Sequence, residues 1–211
     1  FIALCVLLAG AVVGRIIFHH QRKINIHKEE LETAQAINYF SSGIYEANDV
    51  ETVLQDITKS CTGRLHYKYC VIYGADRQTK ALRPLATSGE ERHVIRRDGA
   101  LPVSEVAQRV AATGRAEIID DTTRATSYNH KSLHLLSEIA VPVITDGAVW
   151  GVIYCGHTKK DFFTQKHVSV LTAIASLCAN KIIKTKADKE KAKAESMLMD
   201  TRQKMAEAEM Q

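Results

Sequence analysis

From Phe1 to Gly14 the chain carries no charge, and after Arg15 the apolar run resumes with Ile16, Ile17 and Phe18. A bilayer span needs about 20 apolar residues. Residues 1–18 therefore read as a truncated transmembrane helix whose remainder lies upstream. A secretory signal would place its basic residues before the apolar stretch and a small-residue cleavage site after it. Here Arg15, His19, His20, Arg22, Lys23 and Lys28 come afterwards. Positive charge beside a span marks its cytoplasmic side. The expected location is thus the inner (cytoplasmic) membrane, with a single visible span and the rest of the chain in the cytoplasm. Ile24, Leu31, Ala34, Ile37 and Phe40 then recur at helical spacing in a polar background, which predicts a juxtamembrane stalk helix over 19–35.

The middle, 36–183, alternates between helical and strand periods. Asn48 followed by Glu51 has capping-box spacing, and Val50, Val53, Leu54, Ile57, Cys61 and Leu65 give the helix it would open a buried stripe. Tyr69–Tyr73 and Ala81–Ala86 are β-rich runs around the polar turn 75–80, which predicts a hairpin. Ser104 caps a second helix that stops at Gly114. Ala116–Ile119 is a short strand ending in Asp120-Asp121, and Thr122 to Leu136 is polar and irregular. Ser137–Thr145 and Ala148–Cys155 flank Asp146-Gly147, a strong hairpin signal because a type I′ turn needs φ > 0 at both central residues. Pro142 demands an edge or a bulge in its strand. Thr164 opens a closing helix with a buried stripe of Val168, Leu171, Ile174, Ala175 and Cys178.

From Ala175 a heptad register runs through Cys178, Ile182, Thr185, Lys189, Ala192, Ser196, Met199, Gln203, Ala206 and Met210 without a skip, and no Pro or Gly interrupts it. That is a coiled-coil seam, weak because small and polar residues fill most positions. Residues 184–211 are expected to be a coiled-coil signalling linker.

Composition narrows the class. Apolar residues make up 45% and charged residues 25%, the balance of a globular protein with a core. A net charge of +4 with one Trp offers no concentrated basic face or stacking platform, so no nucleic acid is expected as a partner. Cys5, Cys61, Cys70, Cys155 and Cys178 lie far apart without a C-x-x-C pair, which argues against a disulfide framework or a zinc ribbon.

Glu138-Ile-Ala-Val-Pro-Val, Asp146-Gly147, Gly151-Val-Ile and Phe162-Phe163-Thr164, preceded by Ala111-Ala-Thr-Gly-Arg-Ala-Glu-Ile-Ile-Asp120, resemble a GAF domain. In particular they are similar to the GAF domains of membrane-anchored bacterial sensor histidine kinases of the LytS-like class. The resemblance implies an α+β fold, a central antiparallel sheet flanked by helices. It also implies a homodimer through the stalk and terminal helices, with Ile37, Ile44, Leu171 and Ile174 buried across it. In those relatives an acidic segment often follows Gly-Val-Ile; here Tyr154-Cys-Gly-His157-Thr158 stands instead.

Asn129-His-Lys131 lacks the rest of a cyclic-nucleotide signature, and Cys155-Gly-His157 differs from the Cys-His pair that attaches a bilin. Sulfoxide reductases need several cysteines converging on one pocket, whereas Cys61, Cys70, Cys155 and Cys178 read as small buried core residues. His130 and His134 are spaced for a metal on a helix but need a third ligand. The expectation is a segment with no catalytic residues, no cofactor and no metal. A small-molecule ligand between the sheet and 121–136 would meet Tyr73, Arg83, Asp121, Tyr128, Glu138 and Tyr154. The expected role is sensing, dimerisation and relay through the coiled coil to a C-terminal kinase domain. The alternatives are a nucleotide cyclase as output or a GAF-fold redox enzyme.

Overall fold

The computed structural model describes residues 15, 34–44, 47, 49–89, 103–124 and 135–209. The predicted span 1–18, save Arg15, and most of the stalk lie outside the described residues. The chain divides into two compact units, Phe1–Tyr39 and Phe40–Gln211. In the first, 34–39 are helical and Ile37 is half-buried; in the second, 40–44 are helical and Phe40 and Ile44 are buried.

Helix α1 spans Val50–Gly63. Its cap is Asp49 rather than the expected Asn48, which lies outside the described residues. The Asp49 carboxylate accepts the Thr52 N–H and the Thr52 hydroxyl, each at 2.8 Å. Those bonds hold its pKa below the usual carboxylate value. An anion here also faces the positive end of the helix. Strands β1 (Tyr69–Ala75) and β2 (Leu82–Gly89) form the expected hairpin, with the Asp76 side chain accepting from Gln78 and Thr79 in the turn. Helix α2 (Glu105–Thr113) starts at Ser104, which accepts from the Val106 N–H, and ends on left-handed Gly114. A short β3 (Glu117–Ile119) and a 3-10 turn (Thr122–Arg124) follow. Strands β4 (Ser137–Thr145) and β5 (Ala148–His157) make the second hairpin, and Asp146 and Gly147 both have positive φ, as a type I′ turn requires.

The sheet is antiparallel throughout, in the order β2-β1-β5-β4-β3. β3 pairs with β4 only as far as Ala140, so among the described residues no strand pairs with Pro142 on that edge, as its missing N–H requires. Helices α1 and α3 pack on one face and α2 on the other. On the first face lie Ile72, Ile139 and Ile153, met by Ile57 of α1 and by Leu171 and Ile174 of α3, all fully buried. On the second, Val71, Ala140 and Val152 meet Val106, Ala107 and Val110 of α2.

Helix α3 runs unbroken over Gln165–Glu209. Its first part is a core helix, and two expectations change as a result. Ile44, Leu171 and Ile174 are buried within a single chain, at 5%, 0% and 0% exposure, so they cannot form a dimer surface. Helical periodicity shows that a stripe is buried but not against which partner. Ala175 and Cys178 also belong to the core, so the heptad seam open to a partner begins only after Cys178. From Lys186 to Met205 the side chains are exposed, including Met197, Leu198, Met199 and Met205. By length and composition alone, Gln165–Met205 could cross a membrane, but Leu171, Ile174 and Cys178 within it are buried in this domain.

Candidate ligand face

Side chains two apart on a strand share a face, which places Glu138 with Ala140 on β4, Tyr154 with Val152 on β5, and Tyr73 with Val71 on β1. The registers Ala140↔Tyr154, Tyr154↔Val71 and Val152↔Tyr73 bring the three strands side by side. Three of the residues expected from the sequence therefore meet beneath α2. Tyr69 joins them unanticipated: its ring lies 6.3 Å from that of Tyr154, and the Tyr73 ring 6.4 Å from it on the other side. Period-2 alternation through Tyr69, Val71 and Tyr73 was the signal that could have found it. Opposite Glu138 stands Gly156. The Leu135 side chain packs into the space a Cβ would take there and would have to shift for any larger residue.

Glu138 is fully buried. Its Oε2 accepts from the Ser104 hydroxyl at 3.3 Å, the same hydroxyl that caps α2. Glu138 Oε1 and the Tyr154 hydroxyl lie beside each other, and neither makes a hydrogen bond of full geometry among the described residues. Loss of water raises the Glu138 pKa to about 7, and the Tyr154 and Ser104 hydroxyls beside it only partly oppose this. Burial likewise pushes the Tyr73 and Tyr154 phenols upward. An unsatisfied buried polar group costs about 1–3 kcal/mol. Glu138 and Tyr154, side by side beneath α2, are the polar groups of this face that a ligand donating hydrogen bonds could engage.

The remaining expected residues lie elsewhere. Asp121 accepts from Lys160 at 2.8 Å, from the Thr123 N–H at 3.0 Å and from the Thr123 hydroxyl at 2.6 Å, and it pairs with Arg124 at 3.3 Å. The Lys160 bond chiefly draws its pKa down to about 2. It ties the end of β3 to the segment between β5 and α3. Arg83 is exposed on β2, in a shallow hollow with Gly74, Leu85 and Trp150. Tyr128, His130 and His134 lie outside the described residues.

The opposite face holds a cluster that sequence reading missed. The sulfurs of Cys61 (α1), Cys70 (β1) and Cys155 (β5) all lie within 4.8 Å of one another, and the Cys70 and Cys155 sulfurs are 3.5 Å apart. All three residues are completely buried. Close by, His157 stacks on Phe162 with centroids 3.7 Å apart and accepts the Lys159 N–H at Nδ1. His167 Nδ1 accepts the Thr164 N–H, closing the start of α3.

The GAF domain family matches residues 47–182, and the chain belongs to that family. GAF domains are sensory and regulatory modules of signalling proteins. The chain is similar in fold to the GAF domain of a phosphoenolpyruvate-protein phosphotransferase from Coxiella burnetii, at 14% identity and a TM-score of 0.64, covering 76% of this chain and 98% of that one. It is likewise similar to a free methionine-R-sulfoxide reductase from Neisseria meningitidis, solved in complex with its substrate, at 17% identity, TM-score 0.61, and 73% and 89% coverage. A third is the GAF domain region of a putative membrane protein from Geobacter sulfurreducens, at 17% identity, TM-score 0.54, and 64% and 93% coverage. Likeness at this identity extends to the fold alone. No curated protein matches the chain at a significant level.

Proposed function

We propose that this chain is the sensory and dimerising GAF module of a membrane-anchored sensor histidine kinase of the LytS-like class. Residues 1–18 would be its anchor, 19–35 its stalk and 184–211 its signalling linker. The observation that carries this reading is the continuity of α3. One uninterrupted helix begins in the domain core, where Leu171 and Ile174 are buried, and continues into an exposed tail with Met197, Leu198 and Met199 unpacked. A rotation imposed at the sheet is delivered along such a helix to whatever follows it. Tyr73, Glu138 and Tyr154 are the residues we assign to a small ligand that donates hydrogen bonds. Its occupancy would relieve Glu138 Oε1 and the Tyr154 hydroxyl and bias the two states of the module. Dimerisation would use the tail seam after Cys178.

The test is made in the protein that carries the output domain. One residue inserted near Ala192 turns everything downstream by about 100° and is expected to change kinase output strongly; seven inserted residues restore the phase and are expected to preserve it. Equal outputs from the two insertions would sink the relay, and cyclase activity in place of kinase activity would reassign the output. A redox enzyme is the second reading, favoured by the convergence of Cys61, Cys70 and Cys155. Against it, the three thiols are on the opposite side of the sheet from Glu138 and Tyr154 and have no exposed surface. Rapid labelling of Cys70 and Cys155 by a thiol probe in the native chain would favour the enzyme.

A further inference from the structure

We propose that Cys61, Cys70 and Cys155 form a three-thiolate site for a trivalent thiophilic metalloid, represented by arsenic(III). The scaffold is rigid: Cys70 and Cys155 stand directly opposite each other on adjacent antiparallel strands, and the last turn of α1 brings Cys61 over the pair. A metal–sulfur bond of about 2.3 Å sets sulfur–sulfur edges of about 3.3 Å for right-angled bonds and about 4.0 Å for a trigonal plane. The Cys70–Cys155 separation of 3.5 Å already lies in that range. The other two edges, within 4.8 Å, need to close by less than about 1.5 Å.

Charge selects the ion. Three thiolates with a monovalent ion such as Cu(I) would leave two negative charges in an apolar core, and with a divalent ion one. A trivalent centre leaves none, and uncompensated buried charge is what such a core resists most. Zinc also seeks a fourth ligand, and among the described residues no other His, Cys, Asp or Glu joins the group. The step needs no oxidant. Arsenous acid, As(OH)3, exchanges its three As–O bonds for three As–S bonds, and each departing hydroxide takes one thiol proton to leave as water. Entry requires local opening of α1, the helix that carries Cys61.

The test uses the reduced 211-residue chain in detergent micelles, titrated with sodium arsenite. Native mass spectrometry is expected to show one adduct heavier by one arsenic less three hydrogens, with the far-UV circular dichroism of the folded chain retained. Arsenic-edge X-ray absorption is expected to show three sulfurs and no oxygen in the first shell. Cys61→Ala, Cys70→Ala and Cys155→Ala are each expected to lose that shell, and Cys5→Ala and Cys178→Ala to keep it. If a core variant fails to fold, the sulfur count in the unmodified chain decides alone. A mixed sulfur–oxygen shell, or an adduct formed only by unfolded chain, overturns the site. Displacement of bound arsenic by equimolar Zn(II) or Cu(I) overturns the choice of a trivalent centre.

Discussion

The two faces of the sheet are built to different rules. Beneath α1 and α3, Ile72, Ile139, Ile153, Leu171 and Ile174 interlock with no exposure. Side chains there are apolar or weakly polar, and stability follows from filled volume. Beneath α2 the same strands present Tyr69, Tyr73, Tyr154 and Glu138, with a carboxylate oxygen and a phenol making no hydrogen bond of full geometry. A domain selected for stability alone would have filled that second face with hydrocarbon, as it filled the first. Local departures of this kind are expected where a fold keeps a site. The difference teaches that one half of the core anchors the output helix while the other half stores the unmet hydrogen bonds a ligand could use.

The largest expected effect lies on the filled face. Leu171→Ala opens a cavity under a helix that cannot collapse onto the sheet, and is expected to cost about 2–5 kcal/mol in chemical denaturation. A cost below about 1 kcal/mol would show this face to be looser than described.

The polar face should respond in the opposite sense. Glu138 carries a folded pKa raised from 4.5 to about 7. The folded state then holds a proton that the unfolded chain has lost, so stability is full below pH 4.5, declines as pH rises toward 7, and is level above it. The shift corresponds to roughly 3 kcal/mol. Glu138→Gln is expected to abolish this decline and to make the chain more stable than the wild type at pH 8. Denaturation curves at pH 5 and pH 8 for both proteins check it, and a pH-independent wild type would break the contrast between the faces. Tyr154→Phe removes a hydroxyl without a hydrogen bond of full geometry and is expected to be neutral or stabilising by up to about 1 kcal/mol; a loss larger than that would reveal a bond the hydroxyl makes.

The smallest effect is expected at Asp121, outside both faces. Its pKa is drawn down to about 2, so its bond to Lys160 is fully present above pH 3.8 and is lost as pH falls toward 2. Asp121→Asn should remove that acid dependence and lower stability at neutral pH modestly, because Lys160 is half exposed although the Asp121 carboxylate is largely covered. Thermal melts at pH 3 and pH 7 make the comparison.

Where local chemistry decides, the sequence was readable. Asp146-Gly147 must turn with positive φ, Ser104 must cap, Gly114 must stop its helix, and Pro142 must find an edge. Asn48 and Asp49 are equally good caps one residue apart, and sequence alone chose the wrong one. Glu138 was grouped with Tyr73 and Tyr154 by the family resemblance, and the register of β1, β5 and β4 puts the three on one face. Arg83 and Asp121 were grouped with them by the family resemblance, but strand register and the Lys160 bond place them elsewhere. The stripe through Leu171 and Ile174 announced burial without naming the surface that buries it. Cys70 and Cys155 are 85 residues apart, and only the pairing of β1 with β5 under α1 brings them together with Cys61, so no local pattern could announce the cluster.

The carboxyl of Glu138 tests the contrast between the two faces most directly. Selective 13C labelling of glutamate side chains, with the Glu138 signal assigned by its loss in Glu138→Gln, allows its titration to be followed by NMR in the folded chain. A midpoint near 7 is predicted, since burial leaves the carboxylate short of partners. A midpoint near the ordinary value of 4.5 would mean that the carboxylate is solvated or paired, and would contradict the assignment of this face as the ligand site.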